Sequence, residues 1–325
     1  LSSGFDMFDA DYNANPGPIW KEMRETCPFS RTEERGGFWV TTTYEDAQAL
    51  VRRVPELSNR PVSVVDMPED TDLTADYHTR AFPPITMDPP ENIPLRRLLL
   101  PFFTPKAVET YRPHTEALCN ELIDGFIDKG ACDAAVDYAQ QITPRVISRI
   151  LGVDPNQSDE FVGWVRGLIE LGFDNPEMRA ENHKHLVIFF SEQLELRREN
   201  PTDDLISLLA NQTVNGEPIA DKTIVKMCVL TLAAGIDTTW SSIGSSMLHF
   251  ATHPEDRRRL VREPELFATA IEEMLRLHAP VSVGRVAMED VEHNDATIKR
   301  GDRLVINFPA ANRDPAVFDN PDEAI

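Results

Sequence analysis

Apolar positions in the middle of this 325-residue chain recur every three to four residues, the spacing of one helical face. That spacing predicts helices over about 92–102, 106–128, 137–151, 155–172, 177–199, 203–210, 221–252, 254–262 and 265–278. Asp203 and Asp204 follow Pro201 and suit the positive end of a helix, and Asp221 precedes the longest one. Upstream, the pattern predicts a short helix over 18–26 with Pro18 in its first turn, and another over 44–53. Phe38-Trp-Val-Thr-Thr-Thr, after the Gly36-Gly37 turn, reads as a strand. Residues 60–86, rich in Pro, Asp and Thr, read as a long loop, and loops of that length are often functional. Beyond Pro280, Val281-Ser-Val-Gly and Arg303-Leu-Val-Ile-Asn-Phe read as strands, with Lys299-Arg-Gly-Asp as a turn and 310–321 as a loop. The sum is a mostly α protein with a small β component. It is expected to form one domain over 1–325, with a mixed start (1–90), a helical body (91–280) and late strands (281–325).

Composition narrows the classes. The formal charge is 32 − 54 = −22, which repels phosphate and argues against a nucleic-acid partner. Cys27, Cys119, Cys132 and Cys228 are scattered with no CxxC spacing, which excludes a zinc ribbon and argues against a disulfide framework. Reduced thiols in the cytoplasm are the expectation. The longest apolar stretch, 227–236, is too short to span a bilayer, and no signal peptide follows Leu1, so no membrane anchor is expected.

Candidate chemistry centres on the longest helix. Residues 227–236 are apolar nearly all round, as in a buried helix, and Ala233-Ala-Gly-Ile-Asp-Thr-Thr follows. An acid and two alcohols there are costly unless satisfied, and threonine can bond one turn back and bend the helix. One reading is a polar notch in a dry wall, the other a helix that surfaces with Asp237 solvated. Three weaker features accompany it. Glu273 and Arg276 share a helix face and can pair. Met87-Asp-Pro-Pro-Glu-Asn-Ile-Pro-Leu-Arg96-Arg97-Leu delivers a helix carrying two arginines, either an anion clamp or a solvated face. Arg285 lies in Val283-Gly-Arg-Val, at the start of a predicted strand.

Together, the Asp-Pro-Pro-Glu…Leu-Arg-Arg run, Ala-Gly-Ile-Asp-Thr-Thr, Glu-Glu-Met-Leu-Arg, Gly-Arg-Val-Ala-Met-Glu-Asp-Val and Ala311-Asn-Arg-Asp-Pro-Ala-Val-Phe resemble, in this order, soluble bacterial cytochromes P450. The resemblance implies a monooxygenase that inserts one atom of O2 into a mainly apolar organic substrate. It implies haem b as cofactor, and a ferredoxin-type electron donor with its reductase as partner. Asp237 and Thr238 then match the catalytic acid–alcohol pair of the distal helix, and Gly235 the position that lets dioxygen sit against it. Arg96 and Arg285 match the arginines that clamp the haem propionates, with Asn92 where many members carry histidine. Ala234, Val281 and Val283 match the substrate pocket, and Glu273 with Arg276 a structural ion pair. Arg97 is read equally as a docking charge for the donor or a solvated arginine. The family's axial cysteine lies in a glycine-rich loop. None of the four cysteines has that context, so no iron ligand is assigned in this chain and the ligand is expected beyond Ile325. Two other classes stay in view: a haem-free helical binding protein, and an α-helical terpene cyclase with Asp203 and Asp204 as metal ligands.

Overall fold

A computed structural model describes residues 5–60, 72–75, 81–172 and 175–325. The chain opens with α1 (Ala10–Ala14), α2 (Gly17–Thr26), β1 (Phe29–Thr32), β2 (Phe38–Thr41), α3 (Tyr44–Val51) and β3 (Leu57–Ser58). Helices α4 (Asn92–Leu99), α5 (Pro105–Ile127), α6 (Gln140–Leu151), α7 (Ser158–Ile169), α8 (Pro176–Glu199) and α9 (Leu205–Ala210) follow. A hairpin of β4 (Thr213–Val214) and β5 (Glu217–Pro218) leads into α10 (Asp221–Thr252). Then come α11 (Pro254–Arg262), α12 (Phe267–Leu277), β6 (Val283–Ala287), β7 (Val291–His293), β8 (Ala296–Ile298), β9 (Arg303–Ile306) and α13 (Phe308–Ala311).

These elements form two compact units. The first comprises residues 1–81, 85–90 and 250–325, and the second 82–84 and 91–249. Helices α11 and α12 fall in the unit that holds the strands.

The first unit is built on a sheet of order β1-β2-β9-β6-β3. Strand β9 pairs parallel with β2 (Trp39 opposite Leu304) and antiparallel with β6 (Arg285 opposite Leu304). It is buried on both faces. Leu304 and Ile306 enter a core with Phe29, Leu50, Leu57, Ala287 and Ile298, while Val305 enters another with Phe5, Tyr12, Trp20, Phe38 and Val40. That split follows from the two-residue period of a strand. Helix α3 begins at a reciprocal cap: Thr43 Oγ1 accepts from the Asp46 amide at 3.2 Å and donates to Asp46 Oδ2 at 2.6 Å.

In the second unit, α6 ends at Gly152 in the left-handed conformation (φ 87°). Asp204 caps α9, accepting from the Ser207 amide at 2.7 Å and from Arg197 Nε at 2.6 Å. The cap is Asp204 alone, since Asp203 is exposed. A π-helical turn, Ala134–Ala139, precedes α6 where the sequence pattern had the α-helix itself starting.

The other departures are short elements. Strand β6 starts two residues later than expected, and β1, β3 and the two hairpins have too few residues for periodicity to register. The first residues of the expected loop 310–321 close α13, capped by Asn307 Oδ1 on the Ala310 amide at 3.2 Å. Of the expected loop 60–86, residues 61–71 and 76–80 lie outside the described residues. Within the described part, Arg60 Nη1 donates to the Thr74 and Ala75 carbonyls.

Candidate active site

Helix α10 runs unbroken for 32 residues, so the threonines do not interrupt it. Met227, Cys228, Val229, Leu232, Ala233 and Ile236 are buried, which makes its middle a dry wall. Burial holds the Cys228 thiol protonated by pushing its pKa up. The hydroxyls bond backward along the helix: Thr231 to the Met227 carbonyl (2.8 Å), Thr238 to Ala234 (2.8 Å), Ser242 to Thr238 (2.9 Å) and Ser246 to Ser242 (2.7 Å). Each alcohol is thereby satisfied within its own helix.

Asp237 is half-buried. Burial first, and then the charge of Glu170 at the end of α7, raise its pKa, against a hydrogen bond from Trp240 that lowers it. Glu170 is itself gripped by Arg166 at 2.7 and 3.0 Å. Asp237 is thus an acid whose charged form is disfavoured, which favours the polar-notch reading over a solvated one. Ala234, one turn before Thr238, is exposed. Gly235 lies against α6. A Cβ there would lie 2.6 Å from Ile147 Cγ1 on α6, so helix packing also requires the glycine.

Asn92 and Arg96 stand one turn apart on one face of α4. Arg96 and Arg97 are both exposed.

The remaining predicted residues lie in the first unit. Arg285 Nη1 donates to the Gly284 carbonyl at 2.8 Å. Its Nε is sealed from solvent and has no hydrogen-bond partner among the described residues. Burial lowers its pKa, opposed by the charge of Asp88. Asp88 accepts from Ser58 Oγ (2.5 Å), the Asn59 amide (2.7 Å) and Asn59 Nδ2 (2.9 Å), which ties residues 85–90 to β3. Neither Asp88 nor Glu170 was singled out from sequence. Asp88 sits within the Met-Asp-Pro-Pro run, whereas nothing near Glu170 marks it. Val281 is partly exposed, while Val283 packs against the sheet core, so that side chain is committed to packing.

Glu273 and Arg276 do pair. Arg276 uses every donor it has: Nε and Nη2 grip Glu273 at 2.8 Å each, Nη1 reaches the Asn312 (2.9 Å) and Pro321 (2.8 Å) carbonyls, and Nη2 also reaches Glu323 (2.8 Å). Arg276 thereby ties α12 to residues 312–323.

The second unit carries an acid–alcohol pair on its long helix, and the first a half-buried arginine on its sheet. Comparison with known proteins identifies the class. The sequence profile of the cytochrome P450 family matches residues 164–323. Vitamin D(3) 25-hydroxylase of Pseudonocardia autotrophica is 32% identical over 98% of this chain and 78% of its own length. Mycinamicin IV hydroxylase/epoxidase of Micromonospora griseorubida is 31% identical over 93% of this chain and 76% of its own. The structure of the bacillaene polyketide synthase cytochrome P450 PksS of Bacillus subtilis superposes with a TM-score of 0.88 at 27% identity, over 99% of this chain and 81% of that one. The chain belongs to the cytochrome P450 family. It is a haem-dependent monooxygenase, and its cofactor is haem b. Among the described residues, no helix is long and apolar enough to cross a membrane.

Arg285 fits that cofactor. A buried guanidinium N–H without a partner is what a propionate carboxylate satisfies. Of the cysteines, Cys228 is a protonated core thiol and Cys27 donates to the Phe29 carbonyl at 3.2 Å. Neither has the character of a thiolate ligand.

Proposed function

We propose that Asp237 and Thr238 handle the protons of an oxygen insertion into an apolar organic molecule. The observation that supports this reading is the half-buried Asp237 with its raised pKa, one residue from an oriented alcohol. The haem, when bound, supplies the redox centre at which dioxygen is activated. Asp237 holds a proton at its carboxyl oxygen more readily than a solvated aspartate, so it is suited to accept one from solvent and pass it inward. Thr238 spends its hydrogen on the Ala234 carbonyl, which orients its Oγ1 lone pairs to accept from a water or a substrate hydroxyl. Arg285 would hold a propionate through its charge.

Electrons come from a soluble ferredoxin-type donor, and the protein works in the cytoplasm. PksS belongs to a polyketide synthase system, and the P450BioI structure, with a TM-score of 0.87, holds an acyl carrier protein bearing hexadec-9Z-enoic acid. A hydrocarbon-rich substrate suits the apolar wall of α10. The test supplies haem-loaded protein with reduced ferredoxin and isotopically labelled dioxygen, over a panel of apolar substrates. One labelled oxygen atom per product molecule is expected. Product whose oxygen comes only from water overturns the reading.

A further inference from the structure

Away from α10, helices α5 and α6 and the π-helical turn between them border a cavity of about 310 Å³, wholly within the second unit. That is the lower end of the size of small-molecule sites. Leu122 and Phe126 of α5 and Val136 of the turn give it an apolar side. Gly125 lies among them, and a Cβ there would meet nothing within 4 Å. Packing therefore does not ask for a glycine, although a glycine inside a helix costs stability relative to alanine. What the missing side chain leaves is room. Four charged residues line the same space: Glu121 on α5, Lys129 just after it, Asp137 on the turn and Arg145 on α6. Asp137 accepts from the Asp133 amide at 2.8 Å. Among the described residues, Glu121, Lys129 and Arg145 make no side-chain hydrogen bond or ion pair, so the two acids and two bases share a cavity without neutralising one another.

We propose that this cavity binds a free α-amino acid with an apolar side chain: Arg145 takes the carboxylate, Glu121 the ammonium group, and Leu122, Phe126 and Val136 the hydrocarbon. The half-buried Arg145 guanidinium, without an acceptor of its own, offers the planar fork that a carboxylate fills bidentately. Glu121 and Arg145 come from different helices, so a head group bearing both charges can sit between them. A ligand with one charge would meet as many like charges as unlike ones along this lining, whereas a zwitterion answers both signs. Gln141 Nε2 donates to the Val136 carbonyl at 3.2 Å, which leaves its amide oxygen to accept a second ammonium hydrogen. No serine, cysteine or histidine lines the cavity, which suits it to holding a ligand rather than attacking one. The site is separate from Asp237 and Thr238 and goes beyond the monooxygenase reading. Helix α6 also carries Ile147, which abuts Gly235 of α10. An amino acid held between α5 and α6 would therefore brace the helix on which α10 packs, the position of an effector.

The test measures binding of leucine, N-acetylleucine and leucinamide to the haem-loaded protein by isothermal titration calorimetry. Each analogue keeps one charge of leucine and loses the other. Leucine is expected to bind with a Kd below about 1 mM and at least about tenfold more tightly than either analogue. Arg145→Gln and Glu121→Gln should each weaken leucine binding by at least about tenfold. Gly125→Leu should abolish it while leaving the melting temperature unchanged or higher, because the new side chain enters open space. Absence of leucine binding overturns the proposal, as does equal affinity for leucine and either analogue, or affinity that survives Arg145→Gln or Gly125→Leu. Because binding is read without turnover, this failure is distinct from failure of the labelled-oxygen experiment.

Discussion

Ile147 of α6 fills the space that a side chain at position 235 of α10 would need: a Cβ there would meet its Cγ1 at 2.6 Å and its Cδ1 at 2.7 Å. Two helices of one unit are locked by a missing methyl group. Gly235→Ala is therefore expected to destabilise the protein by about 1–3 kcal/mol through overpacking. Ile147→Ala removes both clashing carbons, so adding it to Gly235→Ala should cost less than the two separate effects summed. Thermal unfolding of the four proteins in this cycle measures it, and strict additivity would detach the glycine from Ile147.

Asp237→Asn is expected to slow turnover roughly 100-fold while leaving substrate affinity nearly unchanged. The same substitution should raise stability at neutral pH. The folded-state pKa of Asp237 lies above its unfolded value, so its favourable contribution is complete below the unfolded pKa, about 3.9, and is lost as pH rises through the folded one. Asparagine never ionises and escapes that loss. Melting temperatures of wild type and variant should converge at acid pH and separate at neutral pH, with the variant higher.

Thr238→Ala is expected to uncouple the reaction, so that reduced cofactor is consumed and its electrons leave as peroxide. Quantifying peroxide and product per cofactor oxidised checks this. Unchanged coupling would remove Thr238 from the proton path and leave it as one of the back-bonded hydroxyls of α10.

Arg285→Ala should speed haem loss to an acceptor protein by roughly tenfold or more, the effect of stripping one charge-assisted bond worth about 1.5–3 kcal/mol. Arg285→Lys should recover only part, because the ammonium cannot present the planar fork.

Asp204→Asn should destabilise the second unit by about 3 kcal/mol, since it leaves the half-buried Arg197 without its carboxylate. Although burial opposes ionisation, hydrogen bonds from Thr202, Ser207 and Arg197 hold the Asp204 pKa below its usual value. Its contribution is present above the unfolded pKa and lost as pH falls through the lower folded one. Acid melts of the two proteins should therefore converge as pH falls through that folded value.

The long helices were legible from sequence because each repeats its apolar spacing over several turns. The bounds of α10 and α11 were read to the residue. The strands were not, since Leu57–Ser58 offers no period and β1 earns its place only by pairing with β2. Motifs singled out Asp237, Thr238, Glu273 and Arg276, because each pair lies within one helix. Glu170 and Arg145 escaped notice because what distinguishes them is set across space. One loads the charge on Asp237 from another helix, and the other shares a cavity with Glu121 of a second helix. Gly235 was noticed, but its contact with Ile147 was not, for the same reason.

The sheet of the first unit sets an order of events during synthesis. Its second strand must wait for β9, with Trp39 pairing opposite Leu304 and its indole donating to Asp302, 263 residues later. At roughly 5–20 residues per second, that interval lasts roughly 13–53 s. Throughout it, the β1–β2 ribbon presents an unpaired edge, the kind of surface that recruits other strands. The second unit, which lies wholly between those partners in the chain, emerges complete before the sheet can close. The nascent protein is thus expected to depend on holdase chaperones while its helices are already forming, and its yield to fall in cells depleted of them.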